Sequence, residues 1–260
     1  HALAALAARV GLAAELVVVE WNPPPGRAPL AEALTWPDRP GPLAIRVLTV
    51  PAAVHARLPN AGRLPFFQMI AKNAGIRRAR GEFVIATNID LLFSEELLWF
   101  LAHGPLDPDA VTRVVRLDLG LRDLPPGLDI EEQLALCSLN VARVCAVDGS
   151  VEPAPAEARA RFGHPAARFT GFSPAALAGL LAGAGQARPH FEACGDFTML
   201  ARAEWERLRG YPELPLQSMH QDSILLKMAM VSGLRQLVLP DPMRTYHLEH
   251  GMGWGAVEDR

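Results

Sequence analysis

From residue 71 to residue 90 the chain has the sequence AKNAGIRRARGEFVIATNID. The first part of this stretch belongs to a helix predicted over Pro65–Arg80, with proline in its first turn and Gly81 just past its end. The apolar residues Phe83–Ala86 then predict a short strand that is buried on both faces. Polar residues follow at once, and Asn88 and Asp90 face the same side because alternate residues of an extended chain do so. The stretch therefore predicts a helix, a buried strand and a polar strand end.

Apolar runs separated by helical segments continue along the chain on both sides of this stretch. Further strands are predicted at Leu16–Val19, Leu43–Val50, Val111–Leu117, Phe197–Ala201 and Gln236–Leu239. Further helices are predicted at Ala2–Ala14, after a cap at Ser94, and at Ile130–Val144, Pro174–Ala182, Ala203–Leu208 and Asp222–Ser232. This alternation predicts an α/β fold with a Rossmann-like, mostly parallel central sheet flanked by helices. In such sheets ligands bind beyond the carboxyl ends of the strands.

Composition narrows the class of protein. The chain has 260 residues, half of them hydrophobic, which is enough for one large domain spanning 1–260. Its net charge of −3 and scattered basic residues exclude a nucleic-acid-binding stripe. An odd number of cysteines without CxxC spacing, Cys137, Cys145 and Cys194, favours a reducing compartment. No apolar run is long enough to cross a bilayer, so a cytoplasmic protein is expected, or one peripheral to the inner membrane.

The stretch from residue 71 to residue 90 resembles a sequence pattern of a known enzyme family. Family-2-like GT-A glycosyltransferases, which are nucleotide-diphospho-sugar transferases, carry a helix of the form A-x-N-x-G-I-x-x-A-x-G-E that leads through a strand into D-x-D. The residues that match this form are Ala71, Asn73, Gly75, Ile76, Ala79, Gly81, Glu82 and Asp90, with Asn88 in place of the first acid. The resemblance implies a GT-A type fold and a nucleotide-sugar site that includes Asn73, Asn88 and Asp90.

The chemistry of Asn88 and Asp90 suits that site on physical grounds. A sugar nucleotide leaves as a diphosphate, and a divalent ion held by a strand-end carboxylate can neutralise the departing charge. We expect Asp90 to bind Mn²⁺ or Mg²⁺, and Asn88 to reach the ion through water or to contact the ribose. The alternative is a polar turn whose Asx side chains bond to the backbone.

A second segment resembles the acceptor half of the same family. It consists of Cys194–Leu200, Trp205, Leu208, Gly210–Glu213 and His220–Asp222. In inverting members an acid just before a helix takes the proton from the acceptor hydroxyl, which implies that role for Asp222. The alternative is that Asp222 is only a helix N-cap. Asp196 would bind sugar hydroxyls of the acceptor, or else backbone amides of its own turn.

The tail carries the sequence YHLEHGMGW from Tyr246 to Trp254. Several GT-A families place a C-terminal histidine beside the metal in a mobile lid, so His247 or His250 would complete the metal shell. The alternative for both histidines is a hydrogen-bonded structural or surface position. Trp254 would stack on an acceptor sugar or fill the core.

The first predicted strand ends at Glu20. The resemblance implies that a strand-end acid here contacts the nucleoside, although the family's D-D-G-S is replaced by Glu20-Trp21-Asn22. The family's opening strand has no counterpart before Ala2, so either the N-terminus is truncated or the pocket is built differently. These matches divide the chain into a nucleotide-sugar half (1–103), a variable, acceptor-related insert (104–190) and an acceptor and catalytic half with a C-terminal lid (191–260).

Together these observations predict a hexosyltransferase. It would move a sugar from a UDP-sugar or another nucleotide sugar to a hydroxyl of a glycan, lipid or small molecule, with inversion if Asp222 is the base. A retaining route remains open. The first alternative is a nucleotidyltransferase on a related fold, although the Gly-rich basic loop it needs is not visible. The second is a catalytically degenerate nucleotide- or sugar-binding domain, which Asn88 and the lack of an opening strand favour.

Overall fold

A computed structural model of the protein describes residues 1–39, 41–163, 169–182, 184, 189–218 and 220–250. The strands are β1 (Ala14–Trp21), β2 (Leu43–Val50), β3 (Phe83–Thr87), β4 (Leu91–Phe93), β5 (Ala110–Leu119), β6 (Val141–Ala146), β7 (Gly149–Val151), β8 (Phe197–Ala201) and β9 (Arg235–His247). The helices are α1 (Ala2–Val10), α2 (Leu30–Ala33), α3 (Ala52–His55), α4 (Gln68–Ile76), α5 (Glu95–His103), α6 (Ile130–Leu139), α7 (Pro155–Phe162), α8 (Pro174–Ala182), α9 (Arg202–Leu208) and α10 (Gln221–Val231). The chain is thus a mixed α/β protein, as predicted.

The predicted mostly parallel sheet is wrong, because the strands form two sheets and the larger is mixed. Strands β1 and β2 pair in parallel. In the larger sheet of the described residues, β3, β8, β5, β6 and β7 are neighbours in that order, β9 lies parallel to β5, and β4 lies antiparallel to β9. The other pairs of this sheet are antiparallel. A continuous apolar run indicates a strand covered on both faces but does not encode its direction, so the sequence could not reveal this.

Three strands of the larger sheet nevertheless run in one direction. Both β3 and β5 are antiparallel to β8, and β9 is parallel to β5. The carboxyl ends of β3, β5 and β9 therefore lie at the same edge. Asn88 follows β3 there, Asp118 lies near the end of β5, and His247 ends β9. This edge brings polar residues from distant parts of the sequence together.

The core lies on both faces of β3 and β8. Val84 and Leu200 pack with Trp205 under α4, α9 and α10, while Phe197 and Met199 pack on the other face against α5 and α8. The Trp205 side chain is 1% exposed and its indole N–H donates 2.9 Å to the carbonyl of Val84. The whole of β8 is buried, as its mostly apolar sequence predicts, and its one polar side chain, Thr198, donates its hydroxyl to the carbonyl of Cys194. This packing holds the strand ends in fixed positions.

Helix bounds differ from the predictions where β-branched residues or glycine intervene. Helix α1 ends at Val10, because Gly11 adopts a left-handed φ of 70° that caps it. The helix predicted over Ile130–Val144 stops at Leu139, and Val141–Ala146 is instead strand β6. Valines suit a strand better than a helix, and here pairing with β5 decides the outcome. Helix α4 is likewise shorter than predicted, spanning Gln68–Ile76.

Candidate functional site

Asp90, His247 and His250 converge at the shared strand edge. Asp90 lies between β3 and β4, and the pairing of Leu91 with His247 brings the start of β4 to the end of β9. The backbone N–H of Leu248 donates 3.0 Å to the carbonyl of Asp90, which fixes the tail against this turn. The antiparallel pairing of β4 with β9 thus brings His247 and His250 next to Asp90.

The atoms of these side chains form a compact triangle. Oδ2 of Asp90 lies 2.8 Å from Nε2 of His250 and 3.5 Å from Nε2 of His247, and the two Nε2 atoms are 3.1 Å apart. Metal–ligand bonds of about 2.0–2.2 Å place neighbouring ligand atoms roughly 3–3.5 Å apart. Oδ1 of Asp90 is buried and accepts no hydrogen bond from the described residues. The donor set and its spacing therefore fit one divalent cation with open coordination positions.

The electrostatics of the triangle are dominated by the carboxylate of Asp90 and that of the neighbouring Asp118. Burial alone would lower the pKa of His247, but contacts with Asp118 and Asp90 outweigh burial and raise it to about 9. Burial also opposes ionisation of Asp90, yet the contact with His247 and the charge of His250 lower its pKa. Asp90 is therefore ionised at neutral pH, while His247 must release the proton of Nε2 before that nitrogen can bind a cation.

A second group of side chains adjoins the triangle through Asp118. This carboxylate lies 3.2 Å from Nδ1 of His247 and 2.7 Å from Nε of Arg116. Arg116 in turn donates to the buried carboxylate of Asp196. Contacts with His247, Arg116 and Arg143 hold the pKa of Asp118 below its usual range against the effect of burial. Arg116 thus connects the triangle to the predicted acceptor residue.

The sequence interpretation missed Arg116 and Asp118. Both lie in the middle third of the chain, which resembles nothing in the family pattern, yet β5 is a central strand of the larger sheet. The available signal was the alternation of Arg116 and Asp118 at the end of an apolar strand, because alternate strand residues share a face. Charged residues at the end of a buried strand thus indicated a site.

Asn88 lies beside the triangle and has two protein partners. Its amide nitrogen donates to Oδ1 of Asp196 at 2.5 Å, and its oxygen accepts from Nε2 of Gln68 at 3.0 Å. These bonds connect β3 to Asp196, at the start of β8, and to the first residue of α4. A role for Asn88 at the metal or ribose stays a prediction.

Lys72 and Asp222 lie on the other side of Asp196. The ammonium group of Lys72 donates to the carbonyl of Gly195. Burial lowers the pKa of Lys72 to about 8, while the charges of Asp196, Asp222 and Asp90 oppose that effect. A Cβ added to Gly195 would stand 2.8 Å from Oδ2 of Asp222. The three predicted acids therefore surround one buried cationic side chain.

Asp222 is not the N-cap of its helix. Helix α10 begins at Gln221 after His220, so Asp222 lies in the first turn. Its Oδ1 accepts from the adjacent backbone N–H of Ser223 at 2.8 Å, and its carboxylate also contacts the thiol of Cys194. The cap alternative for Asp222 is thus wrong, and Oδ2 faces Gly195.

Two residues predicted to contact the nucleotide, Glu20 and Asn73, are hydrogen-bonded to other parts of the protein. Glu20 is buried and accepts from the backbone N–H of Leu30 and the hydroxyl of Thr49, both at 2.9 Å. Asn73 is fully buried, and its amide donates 2.8 Å to the carbonyl of Tyr211 and accepts 2.8 Å from the same residue's N–H. These bonds account for both side chains without a ligand. Neither residue contacts the Asp90 triangle in the described structure.

Trp254 lies outside the described residues, so its predicted stacking on an acceptor sugar has no structural counterpart to compare. Among the described helices, none has the length and apolar character that a membrane span requires.

No protein-family model and no curated protein matches this chain. The function must therefore be argued from the chemistry of the strand edge itself.

Proposed function

We propose that this chain is a metal-assisted glycosyltransferase of the GT-A type. The observation that carries the proposal is the convergence of Asp90, His247 and His250 on one point, which Asp118 and Arg116 connect to Asp196. A divalent cation held there would neutralise the diphosphate that leaves the donor sugar. Carboxylates beside it would receive the acceptor. The shared direction of β3, β5 and β9 supports the GT-A type description of the fold.

The ligand set favours Mn²⁺ over Mg²⁺. Magnesium demands oxygen ligands in near-ideal octahedral geometry, whereas two of the three ligand atoms here are imidazole nitrogens. Manganese accepts both these nitrogens and the oxygens of Asp90 and a diphosphate. We therefore expect Mn²⁺ to support donor binding at lower concentration than Mg²⁺.

Asp222 is the proposed general base. Its Oδ2 faces Gly195, and among the described residues the carboxylate contacts only the backbone N–H of Ser223 and the thiol of Cys194, with no guanidinium ion pair to compete for a proton. As the acceptor oxygen forms its bond to the anomeric carbon, its proton passes to Asp222 and the bond to the diphosphate oxygen breaks. A direct displacement assisted by this base would invert the configuration at the anomeric carbon. Asp196, held by Arg116 and Asn88, would orient the acceptor hydroxyls.

Donor binding tests the proposal. Nucleotide sugars, beginning with UDP-sugars, are screened by thermal shift with and without Mn²⁺, because a ligand at a hundred times its Kd stabilises the fold by about 2.7 kcal/mol. Release of free sugar from each hit is then measured. Metal-dependent stabilisation followed by sugar release supports the transferase. Binding without release, whatever acceptor is supplied, supports the degenerate binding domain instead, and no metal-dependent binding overturns the proposal.

Two variants assign the metal to the triangle. Asp90→Ala should abolish metal-dependent donor binding, because it removes the carboxylate ligand. Asp123→Asn removes one negative charge from an exposed position and serves as the matched control. Equal Mn²⁺ dependence in the Asp90 variant and the wild type would reject the metal role of Asp90. Circular dichroism confirms that both variants are folded.

A further inference from the structure

The two ring nitrogens of His247 face two different carboxylates. Nε2 points to Oδ2 of Asp90 at 3.5 Å and lies 3.1 Å from Nε2 of His250. Nδ1 lies 3.2 Å from Oδ1 of Asp118, within ion-pair distance. The nitrogens of an imidazole point away from each other, so Asp118 cannot share an ion with Nε2. Asp118 therefore lies on the opposite side of the His247 ring from Asp90 and His250.

The sheet fixes this arrangement through a row of charged residues across adjacent strands. Asp118 on β5 is the register partner of Arg143 on β6 and of His247 on β9. Register partners place their side chains next to each other on one face of a sheet. The order across the sheet is therefore Arg143, Asp118, His247, with Asp90 beyond.

Arg116 and Arg143 hold the carboxylate of Asp118 in place. Its Oδ2 lies 2.6 Å from Nε of Arg143 and 3.1 Å from an Nη of Arg116, while its Oδ1 lies 2.7 Å from Nε of Arg116. Its side chain is 14% exposed. Two guanidinium groups therefore fix the carboxylate, and its Oδ1 lies between Nε of Arg116 and Nδ1 of His247.

We propose that Asp118 is a positioning residue for the cation site. It accepts the Nδ1 proton of His247 and so directs the lone pair of Nε2 to the point shared with Asp90 and His250. This inference rests on the proposed metal-dependent function. Outer carboxylates that orient a ligating histidine change metal affinity about 10–100-fold when they are mutated. We expect an effect of that size from Asp118.

Direct titration of Mn²⁺ alone, followed by the electron paramagnetic resonance of the free ion, tests the inference. Asp118→Asn keeps the shape of the side chain but removes its charge, and should weaken Mn²⁺ binding about 10–100-fold. Glu249→Gln is the matched control. It also removes one negative charge, and Glu249 lies between His247 and His250 in the sequence, but its side chain pairs with Arg122. The control should bind Mn²⁺ within about threefold of wild type.

A spectroscopic measurement on the wild type gives a readout that folding defects do not affect. Zn²⁺ replaces Mn²⁺ so that ¹⁵N resonances of His247 can be observed. The inference requires a protonated Nδ1 and a metal-bound Nε2 in this ring. Coordination through Nδ1 would overturn it even if the Asp118 variant failed to fold.

The outcomes separate this inference from the proposed function. If the wild type binds neither Mn²⁺ nor Zn²⁺, the metal-dependent function fails and the inference fails with it. If the wild type binds Mn²⁺ and a folded Asp118→Asn protein binds it equally well, only the inference fails. Both the metal-dependent function and the inference are supported if Asp118→Asn weakens Mn²⁺ binding, Glu249→Gln does not, and the wild type binds Zn²⁺ through Nε2 of His247.

Discussion

A Cβ atom on Gly195 would stand 2.8 Å from Oδ2 of Asp222, closer than side-chain atoms pack in proteins. The carbonyl of the same glycine accepts the ammonium group of Lys72. Gly195 therefore holds open the space in which the proposed base sits. This close contact lies between the residues just before β8 and the first turn of α10. A larger residue at position 195 would displace the Asp222 side chain.

Gly195→Ala should lower turnover about tenfold or more with little loss of stability. The added methyl group meets the end of a side chain that can rotate, so Asp222 will move instead of the backbone, and a misplaced catalytic group is costly. Gly62→Ala, where a Cβ meets nothing within 4 Å, is the control. Turnover and thermal melting are measured on both. Unchanged turnover in the Gly195 variant would show that Asp222 does not act from this position.

Asp222→Asn should reduce turnover by about two powers of ten or more while leaving Mn²⁺ affinity unchanged. The amide cannot accept the acceptor's proton, and general bases contribute about 10²–10⁴-fold. Steady-state kinetics with a transferable donor gives the first quantity and metal titration the second. Full turnover in this variant would leave Asp222 as an ordinary acid of the first helical turn, and a retaining route would then be favoured.

Asn73→Ala should destabilise the fold by about 3 kcal/mol without changing Mn²⁺ affinity. Asn73 satisfies both backbone groups of Tyr211, and each buried group left without a partner costs about 1–3 kcal/mol. Urea unfolding measures the loss. Weaker donor binding by a fully folded Asn73→Ala protein would instead restore the nucleotide contact that the family resemblance implies.

The free energy of unfolding should fall as the pH decreases from 6.5 to 4, in part because of His190. Burial and the neighbouring Arg113 lower the pKa of His190 to about 4 from an ordinary 6.5. The unfolded chain therefore binds a proton in this window that the folded chain does not, and the depression corresponds to about 3 kcal/mol below pH 4. Above pH 6.5 His190 contributes no pH dependence.

His190→Gln isolates this contribution. It retains a polar group toward the carbonyl of Val114, which His190 contacts at 3.3 Å, but it cannot be protonated. Urea unfolding at several pH values should show that the difference in stability between variant and wild type changes between pH 6.5 and 4. Parallel stability curves for the two proteins would contradict the assignment.

Local sequence was sufficient where an element is defined by its own residues. The bounds Leu43–Val50 and Phe197–Ala201 are confirmed for β2 and β8, because runs rich in apolar and β-branched residues favour buried strands. Asp90 was identified for the same reason, since a carboxylate just after a buried strand is a local pattern. The helix predicted over Ile130–Val144 failed because its second half pairs with β5, a contact that no local pattern encodes.

The sequence by itself determined a mixed α/β protein with an acid at the end of β3 and two histidines in its tail. The tertiary structure decided the strand directions, the place of Asp118 behind His247, and the approach of Gly195 to Asp222. Hydrophobic periodicity specifies which residues are buried and on which face, but not which strand becomes the neighbour. The site consists of contacts between such neighbours, so it emerges only once the sheet is assembled.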